Sequence, residues 1–455
     1  MIHALTDTIA AIATPPGQGA LAVVRISGKR ALAVADAIFR SPSGRKPSSV
    51  PSHTVHYGHV HRDGRIIDEV LLTVFRAPRS FTTEDTVEIS GHGGSLVSGL
   101  LLGAVLAAGA RAAEPGEFTQ RAFLQGRIDL TQAEAVVDLI HARTELALES
   151  AHRQLAGRLS QSIREVQRLL LQNLAHIEAH LDFPEEDIAP RSQQELLDRL
   201  KTGDGLLSEL IRTAREGRVL REGLRTAILG RPNAGKSSLM NRLLGHDRTI
   251  VSPLPGTTRD TVEETANLGG VPVTLIDTAG LRVTDDPVEA EGVRRSETAA
   301  READLILYVI DGAEPLIPDD LVQLDTLRNR PHFILLNKGD RPLLARLPEG
   351  HEFIQISSLT GEGMEKLKAA VRQFVGSGQQ QWSPSVVAIS ARHADALRRA
   401  RESLRRAGTA LQENAGLELA AFELRLALSA VGEIVGETTT DDLLDSIFSQ
   451  FCLGK

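Results

Sequence analysis

The segment that most constrains the fold of this 455-residue chain is GRPNAGKSS, residues 230–238. It follows a strand-like run and precedes an amphipathic one, and Gly230, Gly235, Lys236 and Ser237 have the spacing of a phosphate-binding P-loop. Glycines let backbone N–H groups wrap around phosphates, and the start of the next helix adds partial positive charge. Lys236 is then expected to reach the β- and γ-phosphates, and Ser237 to bind Mg²⁺. The segment predicts a nucleoside triphosphate site in an α/β domain.

The base is indicated by LLNKGD, which places Asn337, Lys338 and Asp340 at the end of a later strand-like run. The carboxylate of Asp340 can accept two N–H bonds from guanine, whereas adenine lacks the 2-amino donor and would leave an acceptor unpaired. The loop ISSLTG, residues 356–361, follows the next strand, and its backbone amides suit the guanine O6. NKGD is weak alone but strong beside a P-loop and DTAG, so the sequence predicts GTP.

Two further segments are predicted to complete this site. In DTAG (277–280), Asp277 is the acid expected near Mg²⁺, and Gly280 can direct its N–H to the γ-phosphate. In GTTRD (256–260), Thr258 is expected to bind Mg²⁺, with Thr257 as the alternative. The predicted GTP-binding residues are Asn233, Ala234, Gly235, Lys236, Ser237, Ser238, Ser252, Pro253, Leu254, Pro255, Gly256, Thr257, Thr258, Asp277, Thr278, Ala279, Gly280, Asn337, Lys338, Asp340, Ser357 and Ser358.

One expected catalytic side chain is missing. In Ras-like GTPases a glutamine after the DTAG-type glycine orients the attacking water, but this chain has Leu281 there. The protein therefore either hydrolyses GTP poorly or positions the water from elsewhere. Glu289 and Glu291, in VEAEG, are candidates because a carboxylate can hold a water; the alternative is that both are solvated loop acids.

Hydrophobic patterning divides the chain into successive parts. Strand-like runs such as GALAVVRISG come first, apolar residues at helical spacing follow, strands and helices then alternate, and helical spacing returns near the C-terminus. We therefore predict a β-rich N-terminal domain (1–116) and a helical domain in two parts (117–222 and 377–455). An α/β domain with a mostly parallel sheet (223–376) is inserted between those parts.

Composition limits the compartment and the partners. The net charge of −8 gives no overall attraction to nucleic acid. The single cysteine, Cys452, excludes a disulfide framework and fits a reducing compartment. The N-terminus matches neither a signal nor a transit peptide, and no apolar run approaches the roughly 20 residues that span a bilayer. We expect a cytoplasmic protein that makes no membrane contact.

Several motifs together resemble one known family. TPPG, RISG, GHGG, PGEFTQRAFLQGRIDLTQAEAV, GRPNAGKSSLMN, GTTRD, DTAGLR, NKGD and the terminal FCLGK occur in that order over essentially the whole chain. This combination resembles the tRNA modification GTPase family MnmE, also called TrmE. The resemblance implies an aminomethyltransferase-like, folate-binding and dimerising N-terminal domain, a central helical domain, and a Ras-like G domain inserted into the helical domain.

The resemblance also implies an activity. Members of the family are K⁺-activated GTPases that work as homodimers with an FAD-dependent partner, MnmG (also called GidA). Together they attach a carboxymethylaminomethyl or aminomethyl group to C5 of the wobble uridine in certain tRNAs. The one-carbon unit comes from a tetrahydrofolate derivative, such as 5-formyl- or methylene-tetrahydrofolate. The two G domains meet across K⁺, and their dimerisation drives hydrolysis.

Site residues carry over from the family by position. The K⁺ site falls on Asn233, Ser252, Leu254 and Thr257, where Leu254 offers only its carbonyl, and the residue that positions the water falls on Glu289. The folate-binding residues are implied to be Arg25, Glu88, Arg127 and Lys455. Many members have lysine where this chain has Arg127, and alanine is common at the position of Ser358.

Cys452 and the overall function each leave alternatives open. A Cys452 thiolate near a folate can act on a one-carbon adduct or on uridine, or the residue is a small apolar filler in a packed terminus. The competing functions are a GTP-switched RNA or ribosome assembly factor and a stand-alone one-carbon transferase. Two arginine-rich stretches, 211–225 and 391–408, are either tRNA-binding surfaces or solvated helix faces.

Overall fold

The computed structural model describes residues 7–182, 190–247, 264–276, 301–376, 389–413 and 415–455. The chain divides into two compact units. The first comprises Met1–Val137, Leu159–Ala189 and Arg406–Lys455, and the second comprises Asp138–Arg158 and Pro190–Arg405.

Along the chain, helices predominate between the last strand of the first sheet and the first strand of the second, and again near the C-terminus. The described α-helices are α1 (Ala31–Ile38), α2 (Ser95–Ala107), α3 (Glu117–Leu124), α4 (Leu130–His141), α5 (Glu145–Leu155), α6 (Arg158–Asp182), α7 (Pro190–Glu222), α8 (Lys236–Asp247), α9 (Pro318–Leu327), α10 (Met364–Val375), α11 (Ala391–Gln412), α12 (Leu417–Val435) and α13 (Asp441–Phe448). In α6, buried Leu159, Ile163, Val166 and Leu170 recur every three or four residues, which is the apolar stripe that the sequence pattern predicts.

The first unit contains a seven-stranded sheet with the order β3-β4-β5-β6-β2-β1-β7. Its strands are β1 (Ile9–Ile12), β2 (Leu21–Ser27), β3 (Phe39–Arg40), β4 (Thr54–Arg62), β5 (Arg65–Phe75), β6 (Thr86–His92) and β7 (Arg111–Ala112). All neighbouring strands are antiparallel except β1 and β7, which are parallel.

Helices α1 and α2 pack on one face of this sheet, and this determines which side chains of β2 lie on the opposite face. In β2, Val24 and Ile26 are buried in a core that also contains Leu101 and Val105 of α2. Because side chains alternate along a strand, Arg25 lies on the opposite face. The Arg25 side chain therefore projects from the face of β2 opposite to the one that packs in this core.

The second unit contains a six-stranded sheet with the order β13-β12-β11-β8-β10-β9. Its strands are β8 (Leu224–Leu229), β9 (Glu264–Leu268), β10 (Val271–Ile276), β11 (Leu305–Asp311), β12 (His332–Asn337) and β13 (Phe353–Gln355). Only the β9–β10 pair is antiparallel, so the prediction of a mostly parallel sheet is confirmed.

The central strand β11 has an apolar sequence that is typical of a buried parallel strand. All of its residues are buried, and they alternate between two apolar clusters on opposite faces of the sheet. A strand covered on both faces reads as an unbroken apolar run, which LILYVI is. Since β8, β11 and β12 are parallel, the loops that leave their carboxyl ends share one edge of the sheet.

Candidate functional site

The P-loop leaves β8 at Gly230 and enters α8 at Lys236. Gly230 has φ of +143°, and a Cβ there would lie 2.1 Å from the carbonyl oxygen of Val309. Gly235 has φ of +95°, and a Cβ there would lie 2.1 Å from Nδ2 of Asn337. No side chain fits at either distance, so the backbone approach that the loop requires demands glycine at both positions.

The Lys236 ammonium lies inside this loop. Its Nζ donates to the carbonyl oxygens of Gly230 at 2.8 Å and Arg231 at 2.7 Å. Burial lowers the pKa of Lys236, because desolvation penalises its charged form. An anionic phosphate oxygen is a stronger partner for this cation than a neutral carbonyl. Ser237 and Ser238 follow in the first turn of α8 and are exposed.

Asn337 joins the P-loop to the predicted guanine loop. It is buried at the end of β12, and its Nδ2 donates to the carbonyl oxygen of Ala234 at 2.9 Å. Its Oδ1 accepts the backbone N–H of Ser358 at 3.0 Å and the Ser358 hydroxyl at 2.9 Å. Residues more than 100 positions apart are thus brought together at one edge of the sheet.

The carboxylate of Asp340 is oriented by the same loop. Its Oδ1 accepts a hydrogen bond from the Ser357 hydroxyl at 2.6 Å, and this bond is the main reason why the pKa of Asp340 is lowered. The side chain is exposed and ionised, as an acceptor of two guanine N–H groups must be. Lys338, with φ of +62°, forms an ion pair with Asp311 at the end of β11.

Much of the predicted catalytic machinery lies outside the described residues. This applies to Ser252, Pro253, Leu254, Pro255, Gly256, Thr257, Thr258, Asp277, Thr278, Ala279, Gly280, Leu281, Glu289 and Glu291. Their roles in binding Mg²⁺ and K⁺ and in holding water stay predictions. Of the predicted K⁺ ligands, the structure describes Asn233, which has a left-handed φ of +61°.

In the first unit, Arg25 connects three parts of the chain. Arg25 and Glu88 are direct cross-strand partners on β2 and β6, and Nε donates to Glu88 Oε1 at 2.8 Å. Its Nη1 donates to the carbonyl oxygen of Gly454 at 3.2 Å. The guanidinium also lies 5.7 Å from the ring centroid of Phe118, within the range of a cation–π contact. Arg25, one of the residues predicted from the sequence, therefore links Glu88 to the C-terminal turn.

Gly454 allows the C-terminal turn to pack closely against the backbone of Ile12. Its φ is +87°, and a Cβ there would lie 2.5 Å from the carbonyl oxygen of Ile12. The Lys455 N–H donates to the Cys452 carbonyl at 3.3 Å, which closes the turn. Lys455 is half-buried, and its pKa is lowered first by burial and then by the charge of Arg25. Cys452 is exposed, which does not fit the alternative of a buried apolar filler.

Arg127, the fourth predicted folate-binding residue, has an environment similar to that of Arg25. Its Nη1 donates to the carbonyl oxygen of Ser80, and its guanidinium lies 5.3 Å from the Phe81 ring centroid. Phe81 and Phe118 pack in one apolar cluster. Each of the two arginines thus rests on an aromatic ring of that cluster, and sequence reasoning identified neither ring as part of the site.

A buried ionic network fixes the helix that carries Phe118. Arg121 of α3 donates to Glu84 at 3.2 Å and to Glu117 at 2.8 Å, and it also bonds Asp7. Arg111 donates to Glu117 at 2.7 Å and to Asp7 at 2.8 Å. Burial opposes ionisation of Glu117, but the hydrogen bonds from Arg111 and Arg121 prevail and lower its pKa. The motif GEFTQR contained the signal, since Glu117 and Arg121 are four residues apart.

Ion pairs occupy many arginines of the two basic stretches. On α7, Arg212 pairs with Glu209, Arg218 with Asp304, and Arg221 with Asp138. On α11, Arg399 pairs with Asp395, Arg401 and Arg405 with Asp204, and Arg406 with Glu423. This pairing favours the reading of both stretches as solvated helix faces.

The described part of the chain contains neither a membrane-spanning helix nor a metal-binding cluster. No helix there has the length and apolar character needed to cross a membrane. Within the same residues, no group of three or more His, Cys, Asp and Glu side chains is arranged to hold a metal ion.

Comparison with known proteins places these features in one family. The family model of the MnmE helical domain matches residues 130–452, and that of the GTP-binding protein TrmE N-terminus matches residues 8–127. The chain is 44% identical over 461 residues to the tRNA modification GTPase MnmE of Geobacillus kaustophilus, covering 99% of each chain. It is 45% identical over 451 residues to that of Lactococcus lactis subsp. lactis, covering 99% of this chain and 98% of the relative.

Among solved structures, the G domain of the T. maritima FeoB iron transporter covers 33% of this chain, at 26% identity and a TM-score of 0.24. That score is low, and nothing is concluded from this likeness. The two family models together match residues 8–127 and 130–452, and the full-length relatives cover 99% of the chain. The chain therefore belongs to the MnmE family of tRNA modification GTPases.

Proposed function

We propose that this GTPase is activated by K⁺ and acts as a homodimer with an FAD-dependent partner, MnmG. In this complex it attaches a carboxymethylaminomethyl or aminomethyl group to C5 of the wobble uridine of tRNA, using a tetrahydrofolate derivative. The observation that carries the folate part is the contact of Arg25 with both Glu88 and the C-terminal turn.

The residues around Arg25 have the chemistry that a folate requires. A pterin ring presents N–H donors that a carboxylate such as Glu88 accepts, and the glutamate tail presents carboxylates that Arg25, Arg127 and Lys455 can bind. Aromatic rings support the guanidinium groups of Arg25 and Arg127, and Arg25 is also paired with Glu88. The bound folate supplies the one-carbon unit, while these residues bind it and orient it.

The exposed Cys452 belongs to the same proposal. The turn that carries it is closed by the Lys455 N–H and is anchored through Gly454 to Arg25. Arg25 binds the Gly454 carbonyl, two residues beyond Cys452, so the thiol lies in the turn that meets the proposed folate-binding residues. Cys452 is therefore proposed as the nucleophile, a role for which its exposure is required.

Residues of the second unit would each have a separate role in the hydrolysis of GTP. Lys236 and the P-loop amides hold the phosphates, Asp340 reads guanine, and Ser237 with Thr258 binds Mg²⁺. Glu289 is proposed to hold the attacking water in place of the glutamine of Ras-like proteins. K⁺ bound by Asn233, Ser252, Leu254 and Thr257 would neutralise charge that develops on the phosphates.

A nucleoside analysis of tRNA tests the proposal. Cells that lack this protein should lose the wobble modification, and the wild-type chain should restore it. Arg25→Ala should fail to restore it while it retains GTP hydrolysis, because Arg25 lies in the first unit and all the predicted GTP-binding residues lie in the second. Arg62→Ala, which removes an exposed arginine of the same sheet, is the matched control. Full modification with Arg25→Ala would remove the folate assignment.

The alternative of an RNA or ribosome assembly factor predicts a different result. Such a factor needs no folate, so tRNA nucleosides would be normal in cells that lack the protein. The similarity to tRNA modification GTPases over the full chain favours modification.

A further inference from the structure

Arg242 of α8 makes an unexpected connection to the guanine loop. It lies in the second turn of the helix that begins at Lys236, and its Nε donates to the carbonyl oxygen of Ser358 at 3.0 Å. Its Nη2 donates to the carbonyl oxygen of Leu359. One guanidinium therefore binds two successive carbonyls of the loop that follows β13. A rigid two-pronged donor fixes orientation as well as distance.

The loop is shaped to fit this side chain. Gly361 has φ of +90°, and a Cβ there would lie 3.3 Å from Nη1 of Arg242. The Gly361 N–H donates to the carbonyl of Ser357 at 2.8 Å, which closes the loop on itself. A closed loop moves as one piece, so its position depends on the groups that hold it from outside.

Arg242 also acts on Asp340 through this loop. The Ser357 hydroxyl accepts the Thr360 N–H at 3.1 Å and donates to Asp340 Oδ1 at 2.6 Å. A shift of residues 357–361 would therefore move the hydroxyl that orients the Asp340 carboxylate. The second support of the loop is Asn337, which accepts from Ser358 and donates to the P-loop.

The charge of Arg242 has a further effect on the loop. Hydrogen bonds that share a peptide unit polarise one another, so a carbonyl that accepts from a cation makes the N–H of the same peptide a stronger donor. The peptides that begin at Ser358 and Leu359 are both engaged in this way. The N–H groups of these two peptides belong to Leu359 and Thr360, and that of Thr360 donates to the Ser357 hydroxyl that orients Asp340.

We propose that Arg242 is a positioning residue for guanine recognition: it holds loop 357–361 against the P-loop helix and thereby sets affinity for the base. The inference rests on the proposed assignment of guanine to Asp340 and this loop. It adds a residue that belongs to none of the GTPase motifs in the sequence.

Binding of GDP and of inosine diphosphate to the full chain tests this role. Both bases carry O6, so Arg242→Ala should raise the Kd of both by a similar factor, about tenfold. The KM for GTP should rise in parallel, with kcat within about twofold, because the phosphates keep their contacts. A general folding defect would instead lower kcat and the unfolding temperature. Arg328→Ala, which removes an exposed arginine of α9's C-terminal end, is the control and should change nothing.

Two more variants make each outcome decisive. Arg242→Gln keeps a donor for one carbonyl and should raise the Kd by about threefold, so it decides the question if Arg242→Ala does not fold. A Kd for GDP within twofold of the wild type in the folded variants would overturn the proposal. Asp340→Asn should shift preference from GDP to xanthosine diphosphate, and the absence of that shift would overturn the guanine assignment itself.

Discussion

The substitution Gly454→Ala isolates the contribution of the C-terminal turn to the proposed folate site. Gly454 has φ of +87°, where an alanine costs about 1 kcal/mol in backbone strain. The new Cβ would also lie 2.5 Å from the carbonyl oxygen of Ile12, so the turn has to move. That movement breaks the bond from Arg25 to the Gly454 carbonyl, which as a charge-assisted hydrogen bond is worth about 1.5 kcal/mol.

The two terms together destabilise the native position of the turn by about 2.5 kcal/mol, which lowers the population of that position by a factor of roughly 60. Titration calorimetry with 5-formyltetrahydrofolate should therefore show a Kd raised by about that factor, because Lys455 and Arg25 lose their relative placement. GTP hydrolysis by the second unit should be unchanged.

Gly64→Ala is the matched control for this experiment. Gly64 has a similar φ of +76°, in the turn between β4 and β5, but a Cβ there would meet no atom within 4 Å. It carries the same backbone strain without the collision, so folate affinity should stay within about twofold of the wild type. Equal folate binding by the two variants would refute the role of the terminal turn.

Four other experiments test further features of the chain. GTP turnover should be far faster in K⁺ than in Na⁺, and Glu289→Ala should bind GTP normally but hydrolyse it about 100-fold more slowly; unchanged turnover would move the water-holding role elsewhere. Cys452→Ser should keep GTPase activity and abolish wobble modification in complemented cells, so normal tRNA would make the thiol dispensable. Glu117 has a lowered pKa in the folded state, so its ion pairs stabilise the protein above the usual glutamate pKa of about 4.3 and are lost as the pH falls further. Glu117→Gln should therefore flatten the dependence of the unfolding temperature on pH in that acidic range, and an unaltered slope would contradict the assignment.

Local patterns in the sequence indicate the described segments of the candidate nucleotide site because each segment is short and contiguous. The P-loop glycines, the Asn337–Asp340 segment and the run of β11 each reveal their structure within a few residues. The assembly of these segments follows from the parallel order of the strands, since parallel strands end at one edge of a sheet.

Contacts between distant segments could not be read from the sequence. Arg121 is 114 residues from Asp7, and Arg242 is 116 residues from Ser358. No local periodicity links such pairs, because the partner of a long cation depends on which loops the fold brings near it. The aromatic support of Arg25 by Phe118 was hidden for the same reason, although α3 itself was predicted to be helical.

Arg121 is a buried cation and Lys236 a half-buried one, and their partners differ in charge. Arg121 is surrounded by the carboxylates of Asp7, Glu84 and Glu117, so removal of its charge would leave buried acids uncompensated. Lys236 instead donates to two neutral carbonyls, and burial lowers its pKa because no acid offsets the loss of water. A phosphate can replace those carbonyls with a net gain in electrostatic energy, whereas an anion near Arg121 would compete with partners that are already charged. The pKa of Lys455 is likewise lowered, first by burial and then by the charge of Arg25, and an anionic folate tail bound there, as proposed, would offset both effects.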